Sequence, residues 1–324
     1  MLKVVRAQGQ GIVSDQGRWG YQHLGVPVGG VLDVVSFGLG NLALGNSPNA
    51  SCLELMGQFD FVCAKPCRVL FANRGAQALL NSKPVSSGCV LTLLEGDVLR
   101  TKPPGLGFWN VLCVQGGVDV PEIMGSRSTC LAAGFGGYQG RALLVGDEIH
   151  LLPQAGKPVV PQKRLAMPLA DVDRGGRLVV HCLPGPEFDC LTESSQQLFV
   201  SQGHLLGVQS SRMGYRFVGE FAPLELRNSL SLLSHAVHPG MVQLPPSGQP
   251  VVLLSECQVT GGYPRIAAVL SCELWKLSQL RIGQGVNWVV VDAVQAKRLQ
   301  LKHQSELRRY YHAIESNQQH AHLD

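Results

Sequence analysis

The chain has 324 residues, 45% of them hydrophobic, 15% charged and 6% aromatic, with 38 glycines and 19 prolines. At about 150 residues per domain the length suggests two compact domains, while the apolar share excludes a disordered chain and glycines without a period of three exclude collagen. The net charge is +4, part of it in the last 32 residues. The remainder carries 22 basic against 20 acidic side chains, which leaves no basic surplus to hold a nucleic acid.

Residues 36–44 read as a short helix carrying Phe37, Leu39, Leu42 and Leu44, closed by Gly45-Asn46. β-rich runs follow at 68–72, 90–94, 108–114, 177–183, 250–254 and 287–291, most of them bounded by Gly, Pro, Asn or Ser. Three segments enter a Gly-polar turn from an apolar stretch and leave it apolar: Leu93-Leu-Glu-Gly-Asp, Leu143-Leu-Val-Gly-Asp and Leu280-Arg-Ile-Gly-Gln. Glycine supplies the positive φ of such a turn, and the polar side chain is expected to bond the backbone beyond it. Prolines 153, 158, 161 and 168 and the run Arg174-Gly-Gly mark a semi-rigid connector, and Ser271 is a candidate cap for a turn or two carrying Leu274, Leu277 and Leu280. Beyond Val294 the chain is polar and helix-forming, and His303, His312, His320 and His322 lie there as solvent-facing residues.

The expected fold is mainly β, with two β-barrel-like subdomains, few short helices and a polar, helical C-terminal tail. The expected domains are 1–160, a connector at 161–176, a second β subdomain at 177–292 and the tail at 293–324. No apolar run approaches the roughly 18 residues of a membrane helix, and the opening Met-Leu-Lys-Val-Val-Arg lacks the apolar core of a signal peptide. The expectation is a cytoplasmic protein with no membrane partner. Its ten cysteines read as buried free thiols, and Cys63 and Cys67 have the wrong spacing for a Cys-x-x-Cys metal pair, so no metal is expected.

Common chemistries are absent by inspection: there is no Gly-x-x-x-x-Gly-Lys-Ser/Thr loop, no Gly-x-Ser-x-Gly elbow, no His-Glu-x-x-His and no Met-Lys-Met for biotin. Gly134-Phe-Gly-Gly-Tyr-Gln-Gly lacks the third glycine of a dinucleotide fingerprint and reads as a close-packed turn. Polar residues are instead embedded in Gly/Pro-rich runs: Ser14-Asp-Gln-Gly-Arg-Trp-Gly-Tyr, Gly125-Ser-Arg-Ser-Thr, Arg212-Met-Gly-Tyr-Arg, and Gln258-Val-Thr-Gly-Gly-Tyr-Pro-Arg.

On these motifs, in this order and spacing, residues 3–292 resemble the C-type subunit of 5-oxoprolinase, a family that is also allophanate hydrolase subunit 2 and the A/B part of a biotin-dependent carboxyltransferase. The resemblance implies two β-rich subdomains, at least one of them cyclophilin-like, paired with a B-type subunit and in 5-oxoprolinase also with an A-type subunit. That assembly opens 5-oxoproline to glutamate with ATP, so ATP is implied at the level of the complex. Two alternatives follow from the same family. One is carboxyl transfer from carboxybiotin to urea or a similar amide, with the biotin on a separate carrier. The other is a non-catalytic antagonist that binds a kinase-inhibitor-like B-type partner. The chain departs from the family where Gly30-Val-Leu-Asp33 stands for Gly-Pro-Met-Asp, Ser210-Ser211 for Ser-Asp, and Glu256-Cys-Gln-Val for Asp-Arg-Gln-Thr.

A planar amide with an anionic group needs amide-type donors and acceptors and a cation. Arg212 is the candidate carboxylate clamp, or else a structural residue satisfying loop carbonyls. Asp15 and Arg18 form either a catalytic acid with an anion clamp or an ion pair pinning the first hairpin. Gln243 and Gln258 either read the amide or tie two strands together. Thr260, Gly261, Gly262 and Tyr263 form an anion-holding turn or a barrel corner. Tyr215, Asp33, Ser36 and Asn41 are further candidates for ligand contact whose alternative is packing, capping and turn formation. Gly125-Ser-Arg-Ser-Thr reads as a turn whose hydroxyls cap the following segment, or as a lip of a subunit interface.

Overall fold

The computed structural model describes residues 1–153, 164–220 and 222–320. The expected domain boundary at 160/161, residues 161–163 of the expected connector and His322 of the tail lie outside the described residues. The chain divides into two compact units. The first comprises Met1–Arg18, Gly29–Leu169 and the stretch from Ser305, and the second comprises Trp19–Val28 and Ala170–Gln304.

In the first unit, β1 (Leu2–Ser14) and β2 (Cys52–Cys63) run antiparallel along their whole length, from Leu2 opposite Cys63 to Ser14 opposite Cys52. They join β3 (Cys67–Phe71), β4 (Gln77–Leu80), β5 (Lys83–Ser86), β6 (Val90–Leu93), β7 (Val98–Lys102), β8 (Asn110–Val114) and β9 (Glu148–Ile149) in one sheet. Its spatial order is β5-β4-β7-β2-β8-β3-β6, with β1 beside β2 and β9. Apolar alternation on β2 and the continuous apolar runs of β3 and β8 bring Leu53, Leu55, Val69 and Leu112 into one core, where Phe59 and Phe61 stack 6.2 Å apart. Helix α1 (Val34–Ala43) starts where the Asp33 carboxylate accepts the Ser36 N–H at 2.9 Å, and it buries Phe37 and Leu39.

The second unit is a closed barrel plus a ribbon. Its strands are β10 (Leu178–Pro184), β11 (His204–Leu206), β12 (Gly214–Gly219), β13 (His235–Ala236), β14 (Met241–Gln243), β15 (Val251–Leu253), β16 (Thr260–Gly261), β17 (Arg265–Val269) and β18 (Gly285–Val290). The barrel order is β10-β17-β14-β15-β12-β11-β18, closed by parallel pairing of β18 with β10, while β13 and β16 pair only with each other. Helix α2 (Glu193–Ser201) is capped by Thr192, whose hydroxyl accepts the Ser195 N–H, and it sends Phe199 against Trp288 at 5.9 Å. Phe217 and His204 complete that aromatic cluster, and burial pushes the His204 imidazole down to about 4. Helix α3 (Leu274–Leu277) is short, and α4 (Ala293–His320), the polar helix expected of the tail, counts with this unit up to Gln304 and with the first unit from Ser305, where Ile314 is buried.

The mainly β class with few helices is the one expected from sequence, and three local expectations need correcting. Ser271 caps nothing: it lies inside a 3-10 turn, Ser271–Glu273, that begins at Leu270 without a side-chain cap. His303 does not simply face solvent, because its ring stacks on Trp275 at 6.5 Å. The three Gly-polar turns do form, but the polar side chain reaches back three residues rather than onward. Leu94 N–H donates to Asp97 at 2.7 Å, Leu144 N–H to Asp147 at 2.8 Å and Arg281 N–H to Gln284 at 3.2 Å. In each turn a glycine with φ between 78° and 98° reverses the chain just ahead of the acceptor. In the described part of the connector, Asp173 accepts the N–H groups of Gly175 and Arg177, which makes Arg174-Gly-Gly a tight turn. All ten cysteines are free; Cys89, Cys190 and Cys272 are half-buried and the others are buried.

Candidate functional site

Asp15 is buried at the end of β1 and its carboxylate is saturated. Oδ1 accepts from Ser126 Oγ at 2.7 Å, Ser128 Oγ at 2.6 Å and Gly17 N–H at 2.8 Å, and Oδ2 accepts from Arg127 N–H at 2.6 Å. Arg18, 0% exposed, donates from Nε to the Ile123 carbonyl and from Nη2 to the Ser128 carbonyl, and its guanidinium lies 4.7 Å over the Phe135 ring. Burial lowers the proton affinity of this guanidinium, with Cys130 and Asp15 opposing. The structure thus places the Ser126 and Ser128 hydroxyls of Gly125-Ser-Arg-Ser-Thr on Asp15, while Ser126 Oγ also accepts the following Ser128 N–H at 3.0 Å and Thr129 Oγ1 donates to the Val13 carbonyl at 3.0 Å. Two motifs more than a hundred residues apart form one polar lock.

Asp33 and Ser36 share the start of α1. Asn41 donates to the Ala50 carbonyl at 2.7 Å and accepts from Asn46 Nδ2 at 2.9 Å, so its amide ties the helix to the loop after it. In the second unit Arg212, 3% exposed, donates from Nε to Glu256 at 2.7 Å and from Nη2 to Ser255 Oγ at 3.2 Å. Glu256 N–H donates in turn to the Arg212 carbonyl. Glu256 is one of the positions where the chain departs from the family pattern, and here it is the counter-ion of the expected clamp. Tyr215 is buried on β12 opposite Val252.

Gln243 is 2% exposed at the end of β14; its Oε1 accepts from Gln258 Nε2 at 3.4 Å, and its Nε2, like Arg18 Nη1 and Ser36 Oγ in the first unit, is buried without a hydrogen-bond partner among the described residues. The ribbon β13–β16 borders it, with His235 opposite Gly261. A Cβ on Gly261 would stand 2.7 Å from Gln243 Nε2, so only glycine leaves this amide its place. Across the β14–β17 pair, Gln243 lies opposite Arg265, whose guanidinium makes a two-pronged pair with Glu187 at 2.8 and 3.0 Å. Hydrogen bonding to Arg265 holds the Glu187 carboxyl below its ordinary range against burial, and the charges of Arg265 and His235 act in the same direction. Beside this cluster a cavity of about 580 Å³ is lined by Leu226, Leu230, Leu232, Leu244, Gly262 and Tyr263, with Tyr263 48% exposed.

Gln243, Gln258, Thr260 and Gly261 are therefore brought together, and Gly262 and Tyr263 open onto the adjoining cavity. Glu187, His235 and Arg265 belong to the same place and do not stand out in the sequence as site residues. Arg265 has a local signal, as the last residue of the Thr-Gly-Gly-Tyr-Pro-Arg run. Glu187 and His235 carry no local pattern, because their partners lie far along the chain. A second cavity, about 460 Å³ in the first unit, is lined by Asp119, Tyr138, Glu148 and His150 and contains none of the predicted residues. Among the described residues no group of three or more His, Cys, Asp or Glu side chains is arranged to hold a metal, and no helix is long and apolar enough to cross a membrane.

Residues 24–290 match the family described as carboxyltransferase domain, subdomain A and B. The chain is 36% identical to the C-type subunit of 5-oxoprolinase from Escherichia coli (strain K12) over 97% of each chain. It is 32% identical to the Haemophilus influenzae protein of the same name, over 94% of this chain and 96% of that one. Its fold matches the crystal structure of the K. lactis urea amidolyase with a TM-score of 0.86 at 23% identity, over 95% of this chain and 20% of the larger one. With the family pattern matched across most of its length and two relatives above 30% identity across nearly all of it, the chain belongs to the carboxyltransferase domain family, subdomains A and B.

Proposed function

We propose that this chain is the subunit of an ATP-dependent 5-oxoprolinase that holds the cyclic amide, acting with a B-type and an A-type subunit to open 5-oxoproline to L-glutamate. The observation that carries the reading is the buried Gln243 amide. It keeps one N–H₂ group unpartnered among the described residues, next to a strand glycine, Gly261, that leaves it room, on a chain resembling two proteins named as C-type subunits of 5-oxoprolinase. A lactam carbonyl is an acceptor that this amide would satisfy, whereas a buried donor left without one costs about 1–3 kcal/mol. The difficulty of the reaction is the resonance-stabilised amide, and phosphorylation of its oxygen would make the carbonyl carbon a better electrophile. No residue of this chain is assigned to the nucleotide. The test is reconstitution: the chain mixed with purified B-type and A-type subunits should release glutamate from 5-oxoproline only when ATP is present. Splitting of ATP by the complete mixture without glutamate release would overturn the reading.

A second reading, carboxyl transfer from carboxybiotin to urea or a related amide, rests on the family description and on the fold match to a urea amidolyase. Urea offers the same carbonyl to Gln243. This reading requires biotin on a separate carrier, so avidin should abolish the reconstituted activity. Activity indifferent to avidin would remove it.

A further inference from the structure

The donor on Gln243 has a counterpart that accepts. His235 Nδ1 lies 3.1 Å from the Leu233 carbonyl oxygen, which can only accept, so Nδ1 carries a proton, and in the neutral tautomer this leaves the lone pair on Nε2. That Nε2 is buried and has no hydrogen-bond partner among the described residues. Residues directly opposite each other in an antiparallel pair project to the same face, with Cβ atoms about 5 Å apart. His235 stands opposite Gly261, and the place where a Gly261 side chain would begin is 2.7 Å from Gln243 Nε2. The imidazole and the Gln243 amide therefore flank one glycine on one face of the ribbon, an unpartnered acceptor beside an unpartnered donor.

A planar amide whose C=O and N–H lie on the same edge, as in a lactam or a urea, presents the complementary pair. We propose that His235 is the specificity-determining acceptor of this site: its Nε2 takes the ligand's amide N–H while Gln243 Nε2 donates to the carbonyl oxygen. This role rests on the assignment of the substrate site to this end of the barrel. The charged groups facing His235 are Glu187 and, through it, Arg265. Hydrogen bonding to Arg265 holds the Glu187 carboxyl below its ordinary range.

The test is calorimetric titration of the full chain with 5-oxoproline and with its γ-lactone analogue, in which a ring oxygen replaces the N–H. 5-Oxoproline should bind about tenfold or more tightly than the lactone, because the lactone sets a lone pair against Nε2. His235→Ala should erase that discrimination, and an unchanged unfolding midpoint would show the variant folded. Equal binding of the two rings would overturn the role of His235 while leaving the site where it is. Binding of 5-oxoproline that Gln243→Ala and His235→Ala both leave untouched, or no binding at all, would overturn the site assignment and the role of His235 with it.

Discussion

Two buried polar groups, the Asp15 carboxylate in the first unit and the Gln243 amide in the second, are satisfied to different degrees. Around Asp15 both carboxylate oxygens are filled, by two hydroxyls and two backbone N–H groups, and the motif residues Ser126 and Ser128 serve the carboxylate. Around Gln243 and His235 one strong donor and one strong acceptor are left over after the local bonds are made. Buried polar groups without partners are costly, so a fold retains them where something else supplies the partner. A conspicuous motif is therefore not by itself a site. The Asp-x-Gly-Arg motif reads in the sequence either as a catalytic acid with an anion clamp or as a structural pair, and in the structure its Asp15 carboxylate is filled by hydrogen bonds from within the first unit.

The largest effect should come from breaking those bonds. Asp15→Ala leaves two hydroxyls and two N–H groups of the first unit without their acceptor and should destabilise the chain by about 4 kcal/mol in urea unfolding. A loss below about 1 kcal/mol would mean that water replaces the carboxylate and that the cluster is open after all.

Next in size is the pH dependence set by His204. Its folded value of about 4 lies below the ordinary 6.5, so the native state resists protonation that the unfolded chain accepts. Stability from this residue is full above about pH 6.5 and declines as pH falls toward 4, by about 3 kcal/mol in all. Unfolding midpoints across that range should fall in the parent chain and flatten in His204→Phe; a parallel decline in the two would assign the effect elsewhere.

Arg212→Lys tests whether the expected clamp behaves as scaffold. Its guanidinium is held by Glu256 and Ser255 deep in the second unit, so loss of the planar fork should lower stability by about 2 kcal/mol and leave 5-oxoproline affinity within about twofold. A normally melting variant with weakened binding would restore the clamp reading.

The smallest and most local change is Gly261→Ala. The new methyl would meet Gln243 Nε2 at 2.7 Å, pushing the amide aside at the cost of about tenfold in ligand affinity, or about 1.4 kcal/mol. Unchanged affinity would show that the amide is not part of the binding edge.

Much of the fold is legible in the sequence because its signals are local. The run at 68–72 is β3, the run at 90–94 is β6, and Asp33 caps the helix that the Phe37 and Leu39 spacing announces. The long pairing of β1 with β2 is not legible, since Gly9 and Gly57 interrupt both apolar patterns and face each other only after folding. The site divides the same way. Gln243, Gln258, Thr260 and Gly261 are readable from composition around short strands, although Thr260 and Gly261 form strand β16 rather than the expected turn or barrel corner. Glu187 pairs with Arg265 across 78 residues, and His235 gains meaning only from the strand that pairs with it. The direction of the Gly-polar turns escapes the sequence because residue spacing alone does not say which backbone N–H a carboxylate will meet.

The closure of the barrel has a consequence for how the second unit is made. Its first strand, β10, completes its edge against its last, β18, with Leu178 beside Val286, about a hundred residues later in the chain. During synthesis β10 must wait with that edge open until the final strand emerges, and exposed edges invite pairing with other chains. Such a ring closes late and slowly, since its last contact is also among its most distant in sequence. Ribosome-bound chains arrested before Gly285 should therefore be the species of this protein most dependent on chaperones, and release of the last strand should be the step that makes the barrel self-sufficient.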